Sequence, residues 1–142
     1  MAHYAIVVAR FYEDLAARLE RGARAVFDER GESVEVFAVE GAFELPTAAA
    51  YAAAGGRFAG VVCLGAVIRG ETDHYDYVCS AAAYGIQKVS LESGVPCSFG
   101  VLTVDTYEQA LARSGGDKRD SGAHAAQAVL ALSEIRSQLA LS

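Results

Sequence analysis

Short apolar runs alternate with longer segments of helical period from one end of this chain to the other, and that alternation restricts its fold more than any other feature. The runs are Tyr4-Ala-Ile-Val-Val-Ala9, Ser33-Val-Glu-Val-Phe-Ala-Val39, Phe58 to Leu64 and Cys97 to Leu102. A strand covered on both faces has no polar side, so continuous apolar runs mark the strands of a parallel sheet. Only the second run alternates with period two. Tyr12 to Arg30 is a charged amphipathic helix ending at Gly31, where a left-handed cap residue belongs. Thr47 to Ala54 forms a short helix, with Pro46 in its first turn and Gly55-Gly56 behind it. Tyr75 to Ser93 ends at Gly94 with Pro96 just beyond, and Thr106 to Arg113 and Gly122 to Leu139 complete the helices. The expected fold is α/β: a three-layer α/β/α sandwich around a central four-stranded parallel sheet, one domain over 1–142. Ser114 to Ser121 is a polar loop, and there is no internal repeat, low-complexity tract or linker.

Composition narrows the function. Hydrophobic residues make up 53% and charged residues 21% of 142, and the mean hydropathy is +0.22. That is apolar for a small domain with a high ratio of surface to volume. Burial against copies of the same chain accounts for the excess, as do alanine-rich helices on a sheet. A net charge of −6 argues against nucleic acid, which needs a basic face. No stretch approaches the ~20 apolar residues of a membrane span, and Arg10 interrupts the first apolar run before it resembles a signal peptide. The expected location is the cytoplasm. Cys63, Cys79 and Cys97 are odd in number, widely spaced and without a CxxC, so they read as small buried hydrophobes rather than disulfides or metal ligands.

In an open parallel sheet, ligands bind beyond the carboxyl ends of the strands. Those ends carry Arg10-Phe11, Gly41-Ala-Phe-Glu44, Ala66 to His74, and Thr103-Val-Asp105. Arg69-Gly-Glu-Thr-Asp-His74 leads from a strand into a helix, so its amides can point at an anion; equally, Thr72 or Asp73 can simply cap the helix. The dipole at that terminus disfavours imidazolium at His74 and a bound phosphate favours it, which suits a group that takes and returns a proton near neutrality. Phe11 is either a stacking face over the pocket or a core aromatic. Glu44 either complements a helix dipole or accepts hydrogen bonds from a polyhydroxyl chain, and Arg113 reads by default as a solvated C-terminal cation. His3 and His124 stand apart from any such cluster.

The chain resembles the lumazine synthase family over nearly its whole length. The likeness is carried by Gly41-Ala-Phe-Glu-Leu-Pro46, Gly65-Ala-Val-Ile-Arg-Gly-Glu-Thr-Asp-His-Tyr-Asp-Tyr-Val78, Val95-Pro-Cys-Ser-Phe-Gly-Val-Leu-Thr103 and Glu108-Gln-Ala-Leu-Ala-Arg113. It implies a flavodoxin-like fold and a cofactor-free, metal-free transferase of riboflavin biosynthesis. The reaction implied is condensation of 5-amino-6-(ribitylamino)uracil with 3,4-dihydroxy-2-butanone 4-phosphate to 6,7-dimethyl-8-ribityllumazine, phosphate and water. By that likeness Phe11 stacks on the pyrimidine, the Val67-Ile68 main chain reads its polar edge, and Ala42, Phe43 and Glu44 hold the ribityl chain. Gly70, Glu71 and Thr72 join Arg113 around the phosphate, and His74 shuttles protons. Phe99 comes from the neighbouring subunit, so the site is shared in a homo-oligomer of at least five copies. Riboflavin synthase is the protein partner the likeness suggests.

Two positions depart from the family pattern. Asp120-Ser121-Gly122 stands where Asn-Lys-Gly is frequent, with Lys118 or Arg119 as candidate substitutes for the lysine, and Tyr12 stands where Asn is frequent. The alternative function is a non-catalytic flavin- or lumazine-binding protein on the same fold. Such a protein needs neither His74 nor Arg113.

Overall fold

The structure is a computed structural model that describes residues 2–115 and 119–139. Strands β1 (His3–Ala9), β2 (Ser33–Val39), β3 (Gly60–Ile68) and β4 (Cys97–Val104) form one sheet in the order β2-β1-β3-β4, every pair parallel. The helices are α1 (Glu13–Glu29), α2 (Leu45–Ala54), α3 (His74–Ser93), α4 (Tyr107–Arg113) and α5 (Ser121–Gln138). The chain steps from β1 to β2 in one direction and from β2 to β3 to β4 in the other. Right-handed crossovers then place α1 on one face of the sheet, and α2 and α3 on the opposite face. The three-layer α/β/α, flavodoxin-like fold expected from the sequence is the one observed.

Two apolar clusters fill the space between the layers. Tyr4, Ile6 and Val8 of β1 pack with Leu15, Leu19 and Phe27 of α1, Ala110 of α4, and Ala126 and Val129 of α5. Ala5, Val7 and Ala9 face Leu45 and Ala49 of α2 and Val78 and Ile86 of α3. Each fully buried Leu or Phe contributes about 1.5–3 kcal/mol relative to exposure. Both α4 and α5 therefore share the α1 layer. α1 and α5 meet almost backbone to backbone, because a Cβ on Gly122 would overlap the Leu19 carbonyl and one on Gly22 would overlap the Asp120 carboxylate. Asp120 Oδ1 accepts from Ala123 N at 3.0 Å and caps α5. The Asp-x-Gly pattern at 120–122 thus seats the start of α5 on α1, and residue 121 lines the recess described below.

Two strands, β3 and β4, differ in extent from the sequence reading. β3 begins two residues after Phe58 and runs four past Leu64, and β4 continues through Thr103 and Val104. Val67 and Ile68 pair with Thr103 and Val104, so ladder bonds with the neighbouring strand carry both chains past the point where the apolar runs end. A 3₁₀ turn, Ala42–Glu44, precedes α2, where no turn was expected. The loop position Lys118 lies outside the described residues.

Candidate functional site

The strand order reverses between β1 and β3, and the crevice outside their carboxyl ends is where an open α/β sheet takes a ligand. Phe11 follows β1 there and is 66% exposed, edge-on to Tyr12 with ring centroids 4.9 Å apart. It is not a core aromatic. The 3₁₀ turn lifts Phe43 out at the same rim, 60% exposed, while Ala42 is buried beneath it. Glu44 Oε1 accepts from Gly41 N at 2.9 Å, which fixes the carboxylate at the head of α2. Val67 and Ile68 are strand residues at the end of β3, and the chain leaves through Arg69, whose N donates to Val104 O at 2.9 Å. Arg69 Nε also donates to Asp105 Oδ1 at 2.8 Å, and its guanidinium lies 4.2 Å above the Tyr75 ring. The hydrogen bond it donates to Asp105 holds the guanidinium above its ordinary value, against a smaller opposing effect of burial. Arg69 therefore ties the ends of β3 and β4 together instead of offering a free cation to a ligand.

Gly70, Glu71, Thr72 and His74 are all exposed at the head of α3. The Asp73 side chain caps nothing, and Thr72 Oγ1 accepts from His74 N at 3.3 Å. Asp76 N and Tyr77 N turn back to Asp73 O, so among the described residues Tyr75 N is the first-turn amide of this 20-residue helix left open to solvent or an anion. A Cβ on Gly70 would meet nothing within 4 Å, so packing does not require glycine there. A close-approaching ligand would.

Phe99 and Arg113 lie elsewhere. Phe99 pairs with Cys63 on the edge strand β4, five residues before Val104, which is roughly 16 Å below the rim at the usual rise per strand residue. It is 41% exposed, on the face it shares with Cys97 and Val101. Arg113 ends α4, in the α1 layer across the sheet from α3, with Nη1 donating to Gln109 O at 3.2 Å. Within one protomer, therefore, neither residue stands with His74 and residues 70–72.

Phe99 belongs instead to the β4 edge of the molecule, and Arg113 to the helix that follows β4. An open recess of about 380 Å³ runs beside β4, lined by Ser98, Phe99, Arg119, Ser121 and His124 among others. Arg119 is held against the end of α4: its N donates to Ala112 O at 3.2 Å, and Gly115 N donates to Arg119 O at 3.1 Å. Arg119 Nη2 contacts His124 Nδ1 at 2.8 Å. The Ser98 hydroxyl is buried and has no hydrogen-bond partner among the described residues. Sequence reading left Ser98 inside an apolar run and His124 unassigned. The one signal for this cluster was the serine at 121.

Burial pushes the Cys97 thiol up to about 12 and raises Cys63 further still, so neither is a nucleophile near neutrality. Cys79 is half-buried and is raised by the same cause. Among the described residues no group of three or more His, Cys, Asp or Glu is placed to hold a metal ion, and no helix is long and apolar enough to cross a membrane.

Comparison with known proteins matches residues 1–137 to a family described as 6,7-dimethyl-8-ribityllumazine synthase. A protein of that name from Sphingopyxis alaskensis is 45% identical over 141 residues, covering 99% of each chain. One from Deinococcus radiodurans is 43% identical over 139 residues, 96% of this chain and 90% of the other. A chloroplastic one from Arabidopsis thaliana is 45% identical over 135 residues, 93% of this chain but 60% of the plant protein.

Proposed function

This chain belongs to the 6,7-dimethyl-8-ribityllumazine synthase family, and from that premise we propose that two adjacent copies build each site at which 5-amino-6-(ribitylamino)uracil condenses with 3,4-dihydroxy-2-butanone 4-phosphate. One copy supplies the rim. Phe11 stacks on the pyrimidine, the Val67-Ile68 main chain reads its polar edge, and Ala42, Phe43 and Glu44 receive the ribityl chain. Gly70, Glu71 and Thr72 present the phosphate to the α3 amides. The adjacent copy supplies its β4 edge, with Phe99 closing the other side of the ring and Arg113 reaching the phosphate. The observation that carries this division is the separation of Phe99 and Arg113 from His74 within one chain.

The chemistry suits such a site. The pyrimidine amine attacks the ketone and water leaves to give an imine. Phosphate is then eliminated, and the ribitylamino nitrogen attacks the remaining carbonyl and closes the ring with loss of a second water. Each step moves protons, and His74, at the rim beside the phosphate, takes and returns them. Holding two substrates in register is worth effective molarities of about 10⁵ M or more, and one placed acid-base group adds roughly 10²–10⁴-fold.

A shared site requires the same pair of surfaces to repeat around a closed ring, and family likeness puts that ring at five copies. Tyr77, Tyr84 and Leu91 support self-association. They recur every seven residues on α3, at 68, 71 and 74% exposure, and a heptad repeat drifts only ~20° per step around a helix.

Mixing the purified protein with both substrates and following lumazine fluorescence tests the activity. We expect product from the wild type and a loss of about 10²-fold or more in His74→Ala, with folding and pyrimidine binding retained. An unchanged rate in the variant removes His74 from the mechanism. Tight ligand binding without turnover in the wild type would instead mark a binding protein.

A further inference from the structure

We infer that Arg119, braced by His124, is a phosphate-binding residue of the shared site, delivered from the β4 edge alongside Arg113 and Phe99; the assignment rests on the activity and shared-site reading above.

Two features of the recess point to an anion. The first is an uncompensated charge. Arg10, Arg24, Arg30, Arg57 and Arg69 each lie within 3.7 Å of a carboxylate. Among the described residues no carboxylate pairs with Arg119; Arg18 and Arg113 lack one too but bond main-chain carbonyls, whereas the partner of Arg119 is an imidazole nitrogen in the recess. An arginine cannot accept a hydrogen bond, so Nδ1 of His124 is the acceptor and its ring proton sits on Nε2. That contact fixes the guanidinium's direction without neutralising it, and leaves its other donors for a ligand. The second feature is Ser98. It lines the recess at 6% exposure with an unpartnered hydroxyl, and a buried hydroxyl is destabilising unless a ligand answers it.

The only ionised group on either substrate is the phosphate. A planar guanidinium fork matches its oxygens better than a point charge does. The backbone bonds from Arg119 N to Ala112 O and from Gly115 N to Arg119 O hold Arg119 against the last turn of α4, the helix that Arg113 ends. Ser121, which also lines the recess, is short and leaves it open.

Steady-state kinetics on the assembled enzyme, varying each substrate separately, provide the test, with inorganic phosphate as a competitive inhibitor. Arg119→Ala is expected to raise KM for the sugar phosphate about tenfold or more and to weaken phosphate inhibition by the same factor, with KM for the pyrimidine within about twofold. Adding Ser121→Lys to that variant should restore sugar-phosphate affinity, since a lysine ammonium would then enter the recess. Unchanged values for both sugar phosphate and inorganic phosphate overturn the assignment. So does a parallel rise in both KM values with a lowered Tm and no rescue by Ser121→Lys, which would make Arg119 structural. The stabilisation of the protein by inorganic phosphate, read as a Tm shift that Arg119→Ala abolishes, tests the residue without turnover. It therefore separates failure of this assignment from failure of the enzymatic reading.

Discussion

Co-assembly of two crippled chains tests the shared site most directly. His74→Ala removes the proton carrier from the rim, which should lower turnover by roughly 10²–10⁴-fold. Arg113→Ala removes a charge-assisted contact with the phosphate worth about 1.5–3 kcal/mol, hence about 10–150-fold in kcat/KM for the sugar phosphate. The two residues sit on opposite layers of the sheet, one at the head of α3 and the other at the end of α4. If each site takes its rim from one copy and its β4 edge from the next, a mixed ring rebuilds intact sites. An intact site needs an Arg113→Ala chain on the rim side and a His74→Ala chain on the edge side. With equal, random incorporation around a closed ring, about one site in four meets that condition. Differently tagged chains, co-expressed and purified through both tags, should recover about a quarter of wild-type activity at limiting sugar phosphate. Each parent assembly should remain at least tenfold below wild type. A doubly tagged assembly of verified mixed mass that shows only the average of its parents would refute the argument, because it would mean His74 and Arg113 serve one site from one chain.

Other perturbations follow from the packing. Gly122→Ala should cost about 3 kcal/mol or more, seen as a fall in Tm of roughly 10 °C, because the new methyl meets a backbone carbonyl that cannot turn aside. Gly70→Ala should leave stability within about 0.5 kcal/mol while weakening phosphate inhibition, since its methyl points into open space at the α3 terminus. Glu20 on α1 feels burial, which raises its carboxyl, but hydrogen bonds from Arg24 at 2.9 Å and Arg10 at 2.6 Å outweigh it and hold the group below its ordinary 4.5. A depressed carboxyl contributes stability that is present above the unfolded value and lost as pH falls through the folded one. Glu20→Gln should therefore lower the urea-unfolding free energy by about 1 kcal/mol near pH 7, and that difference should shrink steadily below about pH 4.5.

Much of the architecture was legible because its causes are local. Apolar runs bury on both faces of a sheet, and Gly31 and Gly94 terminate helices at positive φ, where they cost nothing. The strand-end segments with Phe11, Phe43 and His74 could be placed at one rim because a parallel sheet collects the carboxyl ends of its strands there. Periodicity could not say whether Phe11 was core or surface, since a residue just past a strand belongs to neither pattern.

The chain alone determined its order of elements, its caps and the residue types at the strand ends, for these depend on neighbours a few positions away. Strand order, the face each helix covers and the extension of β3 and β4 were decided by tertiary structure, through ladder bonds and close approaches such as Gly122 on Leu19. The gathering of Phe99, Ser98, Arg119 and His124 at one edge is of the same kind. It depends on Arg119 bonding back to α4 and on a helix seated against α1, and no spacing along the sequence encodes a distance in space between segments that far apart.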